Sequence, residues 1–293
     1  MKVRLFKEPE LEKPVLICGW PGIGNIGLIT VDTLRIRVSA EEFGEIESWD
    51  FFYPRKIKIE EGLLVDLEFP SNKFYFKNLL ENDLIFFIGE EQPRGDQKAY
   101  RISESVLDVA INFGCQRIFT SGAAVAPIHH QMKPRVWAVP NKGYLIDEVR
   151  RYENTVLMSD IEGRGDQGYI TGLNGLLIGM AKERGLEAIC LMGEIPLYIP
   201  HSLPYPKASK SVLEVLTKIL GIKIDLSRLE KWAQETEKRI EEFYQQIPTE
   251  MKERIERLIK TEEKPFTEED RKRFVKEVEE FLKRSKEDGE VPL

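Results

Sequence analysis

Apolar residues along this chain fall into short continuous runs separated by stretches with a helical repeat. The first run, Val15-Leu16-Ile17-Cys18, passes into Gly19-Trp20-Pro21-Gly22-Ile23-Gly24-Asn25-Ile26-Gly27 and then into apolar positions at Leu28, Ile29, Val31 and Leu34. Run, glycine-crowded turn and helical repeat predict strand, tight loop and helix, the opening unit of a doubly wound α/β domain. Glycines are needed there because a backbone turning at once from strand to helix visits positive φ and packs where a Cβ would clash.

The same alternation continues. Lys56 to Ile59 and Leu63 to Phe69 alternate about Glu60-Glu61-Gly62, which predicts a hairpin, and Lys73 to Phe76 predicts another strand. Asp83 to Gly89 and Glu187 to Gly193 are nearly continuous apolar runs, the pattern of strands covered on both faces. Arg117 to Gly122 reads as strand and turn, and 136–139 and 155–158 as shorter strands flanking a helix over 145–152. Three more helices are predicted: one burying Ile102, Val106, Val109, Ala110 and Phe113; one over 173–181, closely packed through Gly172, Gly175 and Gly179; and one over 207–220. Strands alternate with helices to about residue 226, so the fold class is α/β, a mostly parallel sheet flanked by helices.

The pattern then changes. Ser227-Arg228-Leu229-Glu230 reads as a capping box opening a helix, with Leu229, Trp232, Thr236, Ile240, Phe243 and Ile247 on one face. Pro248 and Pro265 punctuate the residues after that helix, and Thr267 caps a third helix lined by Val275, Val278, Phe281 and Leu282. We therefore expect an α/β domain over residues 1–228 and a charged helical C-terminal extension over residues 229–293. So thin an apolar stripe buries little alone, and must pack on the α/β body, a neighbouring subunit or a partner.

A net charge of -7 and a pI near 5.4 provide no basic field for phosphates, which excludes nucleic acid as the main partner. Charged residues make up 32% of the chain, with Lys and Glu prominent, a composition common in thermophile proteins. Cys18, Cys115 and Cys190 lie far apart in apolar runs, the pattern of buried reduced thiols in a cytosolic protein. Neither a signal peptide nor an apolar run near the roughly 18 residues of a membrane span is present, so no membrane partner and a cytoplasmic location are expected. Trp49, Phe51, Phe52 and Tyr53 crowd more aromatic surface into one stretch than a loop normally exposes, which favours an association surface.

Gly22 to Gly27 satisfies the dinucleotide fingerprint Gly-x-Gly-x-x-Gly. The acid that would hold a ribose is not in place: Glu41, Glu42, Glu45 and Glu47 stand at about the right distance but not at the end of an apolar strand. The turn is therefore read as structural, and no cofactor is expected. Glu90, Glu91, Arg94, Asp96, Ser121, Arg164, Asp166 and Glu194 sit where strands end, and in an open α/β sheet such ends converge on a crevice. Gly22, Gly24, Asn25, Glu91, Arg94 and Glu194 are the candidate crevice residues. A phosphorylase- or hydrolase-like enzyme would use Arg94 or Arg164 on phosphate and Glu194 as acid or base. The plainer alternative is that polar residues precede loops in any such fold. His129-His130 and the isolated His201 do not make a metal site, and no catalytic residue is assigned.

The glycine loop, Gly89-Glu90-Glu91-Gln92-Pro93, Thr120-Ser121-Gly122-Ala123, Gly172 with Gly175, and Gly193-Glu194-Ile195-Pro196-Leu197-Tyr198 followed by Pro204 and Ala208 come in the order of the proteasome assembly chaperone 2 (PAC2) family, which residues 1 to 228 resemble. The resemblance implies a phosphorylase/hydrolase-like α/β fold without established catalysis and a homo-oligomer acting by protein–protein interaction. Archaeal relatives form homo-oligomers, some engaging the 20S proteasome through C-terminal tails of the pattern hydrophobic, Tyr, any residue. It implies as partners the chain itself and the 20S proteasome or its α subunits, or other protein clients. Here the corresponding residues are Val291, Pro292 and Leu293, with proline in the tyrosine's place. The runner-up is an enzyme or small-ligand binder using the crevice.

Overall fold

The computed structural model describes residues 3–160 and 168–260, together with residues 276 and 280. In chain order the elements are β1 (Val3–Leu5), β2 (Val15–Gly19), α1 (Ile26–Arg37), β3 (Glu41–Ile46), β4 (Lys56–Glu60), β5 (Leu63–Glu68), β6 (Asn72–Lys77), β7 (Leu84–Gly89) and α2 (Asp96–Asn112). They continue with β8 (Arg117–Ala126), β9 (Val136–Pro140), α3 (Leu145–Val149), β10 (Thr155–Val156), α4 (Gly172–Glu183), β11 (Glu187–Pro196), α5 (Pro206–Ile219), α6 (Ser227–Gln246) and α7 (Thr249–Lys260).

The longest apolar runs form the middle of the sheet. β7, β2, β8 and β11 lie side by side and parallel, and every residue of β2 and β7 is buried. The full order is β1-β3-β6-β7-β2-β8-β11-β9-β10. β1, β3 and β6 continue the sheet antiparallel from β7, and β9 runs antiparallel to β11. The sheet is therefore mixed, not mostly parallel. β6 enters β7 through the short segment 78–83 instead of a crossover helix, and a short connection can only join antiparallel neighbours. Asp83 fixes that segment, accepting from the backbone N–H of Glu12 at 2.6 Å and of Leu79 at 2.8 Å.

One face of the sheet carries α1 and α5, with Ile26, Val31, Leu34, Val212 and Leu216 in the core; the other carries α2 and α4 through Ile102, Val106, Leu173 and Leu177. α6 lies on α5, and its Leu229, Ile240 and Phe243 join the first core, as does Ile255 of α7. The stripe of α6 faces the body as its spacing predicts, except that Trp232 is 40% exposed and Ala233 takes the inward place. Ser227 does not cap α6; the Asp225 carboxylate caps it instead, accepting from the Ser227 amide and hydroxyl, each at 2.9 Å. The helix expected after Thr267 lies outside the described residues except for positions 276 and 280, which are helical. No helix among the described residues is long and apolar enough to cross a membrane.

Candidate functional site

The glycine turn is locked from two sides. Gly24 and Asn25 take left-handed φ values of 61° and 50°. The Gly24 amide donates to the His201 carbonyl at 2.9 Å, and the Tyr205 amide donates to the Gly24 carbonyl at 2.8 Å. A Cβ on Gly27 would lie 2.2 Å from the Ser121 carbonyl oxygen of β8. An amide that would have to reach a pyrophosphate is thus already committed to the fold, and the acids of the fingerprint are misplaced. Glu41 to Ile46 is itself a strand, paired antiparallel with β1 and β6, and Glu42 meets Lys73 at 2.9 Å.

Beside the turn, at the C-terminal ends of β2, β8 and β11, lies a cleft of about 700 Å³. Trp20, Gly27, Gly122, Ala124, Trp137 and Met192 form much of its wall. Among the described residues that line it there is no Asp, Glu, Lys, Arg or His. Its amides hold the walls together: Gln92 donates to the Pro21 carbonyl at 2.8 Å and accepts from the Leu173 amide at 3.2 Å, while Asn174 donates to the Ser121 carbonyl at 2.8 Å.

Of the residues expected in the crevice, Gly22 and Ser121 line it, and Gly24, Asn25, Glu91, Arg94 and Glu194 do not. Glu91 and Glu90 both pair with Arg55, at 2.7 and 2.8 Å. Arg94 is exposed. Glu194 is fully buried, and its carboxylate accepts from the Arg135 amide at 2.9 Å, the Arg135 guanidinium at 2.8 Å and the Trp137 indole N–H at 2.9 Å. These bonds engage both carboxylate oxygens and tie β11 to the start of β9. Arg164 and Asp166 lie outside the described residues, as do Val291, Pro292 and Leu293. Cys18, Cys115 and Cys190 are free and buried, and burial pushes the thiols of Cys115 and Cys190 up to about 12. No group of metal-ligating side chains occurs among the described residues.

A polar network that the sequence did not signal fastens α6 to the body. His130 bonds the Tyr198 hydroxyl at 2.6 Å through Nδ1 and Glu241 at 2.8 Å through Nε2. Lys207 donates to the His130 carbonyl at 2.6 Å and pairs with Glu237 at 2.7 Å. The His129 and His130 rings stack 4.2 Å apart under Tyr244. Hydrogen bonds from Gln245 and then His130 hold the Glu241 carboxyl down at about 2, while burial and then His130 lower the basicity of His129.

Both shifts remove stability as acid is added. A histidine depressed in the fold binds its proton more readily unfolded, so its contribution is present above about pH 6.5 and shrinks below it. Glu241 contributes above its ordinary value and loses that contribution as pH falls towards about 2. We expect the melting temperature to fall between pH 7.5 and 5.5, by less in His129→Gln, as read by circular dichroism at each pH; an identical slope in the variant contradicts the assignment.

The PAC2 family model matches residues 16–244. The uncharacterized protein MJ1210 of Methanocaldococcus jannaschii is 30% identical over 89% of this chain and 92% of its own length. The fold is similar to that of Pyrococcus furiosus PbaB, an archaeal proteasome activator, with a TM-score of 0.68 and 30% identity over 83% of this chain and 98% of that one. It is also similar to P. furiosus PbaA, an archaeal homolog of proteasome-assembly chaperone, with a TM-score of 0.61 and 23% identity over 84% of this chain and 97% of that one. The matched region holds the glycine turn, the sheet apart from β1 and nearly all of α6, and this chain belongs to the PAC2 family.

Proposed function

We propose that the protein works by binding other proteins, as a proteasome-directed assembly factor or activator, and not by catalysis. The observation that carries this reading is the 30% identity to the proteasome activator PbaB over 98% of that chain. It is supported by a sheet-end cleft whose described lining has no ionisable acid or base apart from tyrosine. In this reading the phosphorylase/hydrolase-like scaffold is retained for its shape. The protein acts in the cytoplasm as a homo-oligomer, and its further partner is the 20S proteasome or its α subunits. The α/β domain over residues 1–228 is the body, and the extension over 229–293 carries Val291, Pro292 and Leu293 towards the partner.

The apolar side chains of Val291 and Leu293 suit an apolar pocket on the partner, but Pro292 removes a backbone donor and supplies no hydroxyl. The test is the peptidase rate of an archaeal 20S proteasome with wild type, with a deletion of 291–293 and with Pro292→Tyr. We expect stimulation by the wild type, loss on deletion and a gain with Pro292→Tyr. Stimulation that survives the deletion contradicts the role of these residues.

A further inference from the structure

The sheet-end cleft has the size and the lining of a small-molecule site. Its volume of about 700 Å³ falls within the range of roughly 300–1,000 Å³ that such pockets span. Trp20, Trp137, Met158 and Met192 give it an aromatic and sulfur-bearing wall, and the Trp137 indole N–H is committed to Glu194, so its ring is what the cleft receives. Two polar groups of the lining are short of partners. Ser121 is 3% exposed, and its hydroxyl has no hydrogen-bond partner among the described residues. Asn174 donates its N–H to the Ser121 carbonyl at 2.8 Å, which fixes the amide's orientation, while its own carbonyl oxygen is shielded from solvent and has no partner there either. Buried polar groups are nearly always bonded. What sets these two apart from other unpartnered groups of the core is that both residues line a cavity large enough to hold the partner. One hydrogen bond joins the two residues, so a single small molecule spans both.

We propose that the cleft binds a small uncharged molecule bearing a planar amide or lactam, with its flat body against the tryptophan and methionine side chains. Charge decides the class. The described lining holds no Asp, Glu, Lys, Arg or His, so an ion brought in from water finds no counter-charge to offset its desolvation. Hydrogen bonding decides the polar end. The Asn174 carbonyl only accepts and the Ser121 hydroxyl can donate, and an amide presents the matching N–H and C=O side by side. Aromatic walls favour a flat body. Met192 is the movable part of the wall: its Cγ lies 4.0 Å from the point that a Cβ on Gly122 would occupy, a point 2.9 Å from the Asn174 side-chain nitrogen. A flexible thioether yields to a guest at little cost, and its displacement opens the way to Ser121 and Asn174. The molecule is bound and not converted, and the proteasome-directed role stands whether or not the cleft is filled.

The test is NMR of the full chain with 13C-labelled methionine methyls, titrated with benzamide, with uracil, and with benzoate as the charged counterpart of benzamide. We expect benzamide or uracil to shift the Met158 and Met192 methyl signals saturably at millimolar concentration, with the exposed Met132 signal unmoved, and benzoate to shift neither. Ala124→Leu, which narrows the cleft from its wall, should abolish the response, and Ser121→Ala should weaken binding by about tenfold. Melting curves run in parallel check that each variant is folded. Met158 and Met192 signals that stay in place with both neutral probes overturn the proposal. So does an equal response to benzoate, or a response that survives in both variants.

Discussion

Gly27→Ala is expected to destabilise the protein by about 3 kcal/mol, near the upper end of overpacking costs in a closed core. Its new Cβ would stand 2.2 Å from the Ser121 carbonyl oxygen and 3.0 Å from that carbonyl carbon. Both are backbone atoms of β8, a strand paired on both sides, so the clash cannot be relieved by turning a side chain. α1 would have to lift off the sheet, taking Ile26 and Val31 out of the core. For a chain of this size such a loss lowers the melting temperature by roughly 5 °C. Gly22→Ala is the control: φ there is −166°, which any residue adopts, and nothing lies near the added carbon. It should melt within a degree or two of wild type. Equal melting of Gly27→Ala and wild type contradicts the close approach.

Glu194→Ala is expected to cost about 3 kcal/mol, the low end for breaking a buried pair, because Arg135 is 44% exposed and regains water. The Trp137 indole and the Arg135 amide lose this acceptor as well. Glu91→Ala, which removes one partner of an exposed pair with Arg55, should stay within about 1 kcal/mol. Chemical denaturation of the two variants separates the roles. Equal midpoints contradict the view that Glu194 is a structural acid.

How much of this was legible in the sequence depends on how a signal is carried. β2, β7, β8 and β11 announce themselves because a strand buried on both faces must be apolar throughout, and the β4–β5 turn because Glu61-Gly62 can take two positive φ values. β3 is hidden: Glu41, Glu42 and Glu45 outnumber the buried Phe43 and Ile46, so a half-buried strand reads as an acidic loop. Strand direction is also hidden, since segment 78–83 decides it through Asp83 and not through any periodicity. The site was the harder part. A polar residue at a strand end carries no mark of whether it faces a cleft or the strand beside it. Glu194 faces Arg135 and Trp137, nearly sixty residues away in sequence, and only the antiparallel placing of β9 brings them together. The aromatic stretch divides: Phe51 and Phe52 are core, while Trp49 and Tyr53 are 68% and 91% exposed. The His130–Tyr198–Glu241 network joins three distant segments and has no local signature at all.

The proposed function stands or falls on a direct encounter with the proteasome. Sedimentation velocity of the purified full chain mixed with an archaeal 20S proteasome measures it without reliance on any activity. We predict that part of the chain moves with the 20S boundary, and that this fraction grows for Pro292→Tyr and shrinks when residues 291–293 are removed. Separate boundaries for wild type and Pro292→Tyr alike, at concentrations where the chain is folded, would contradict it.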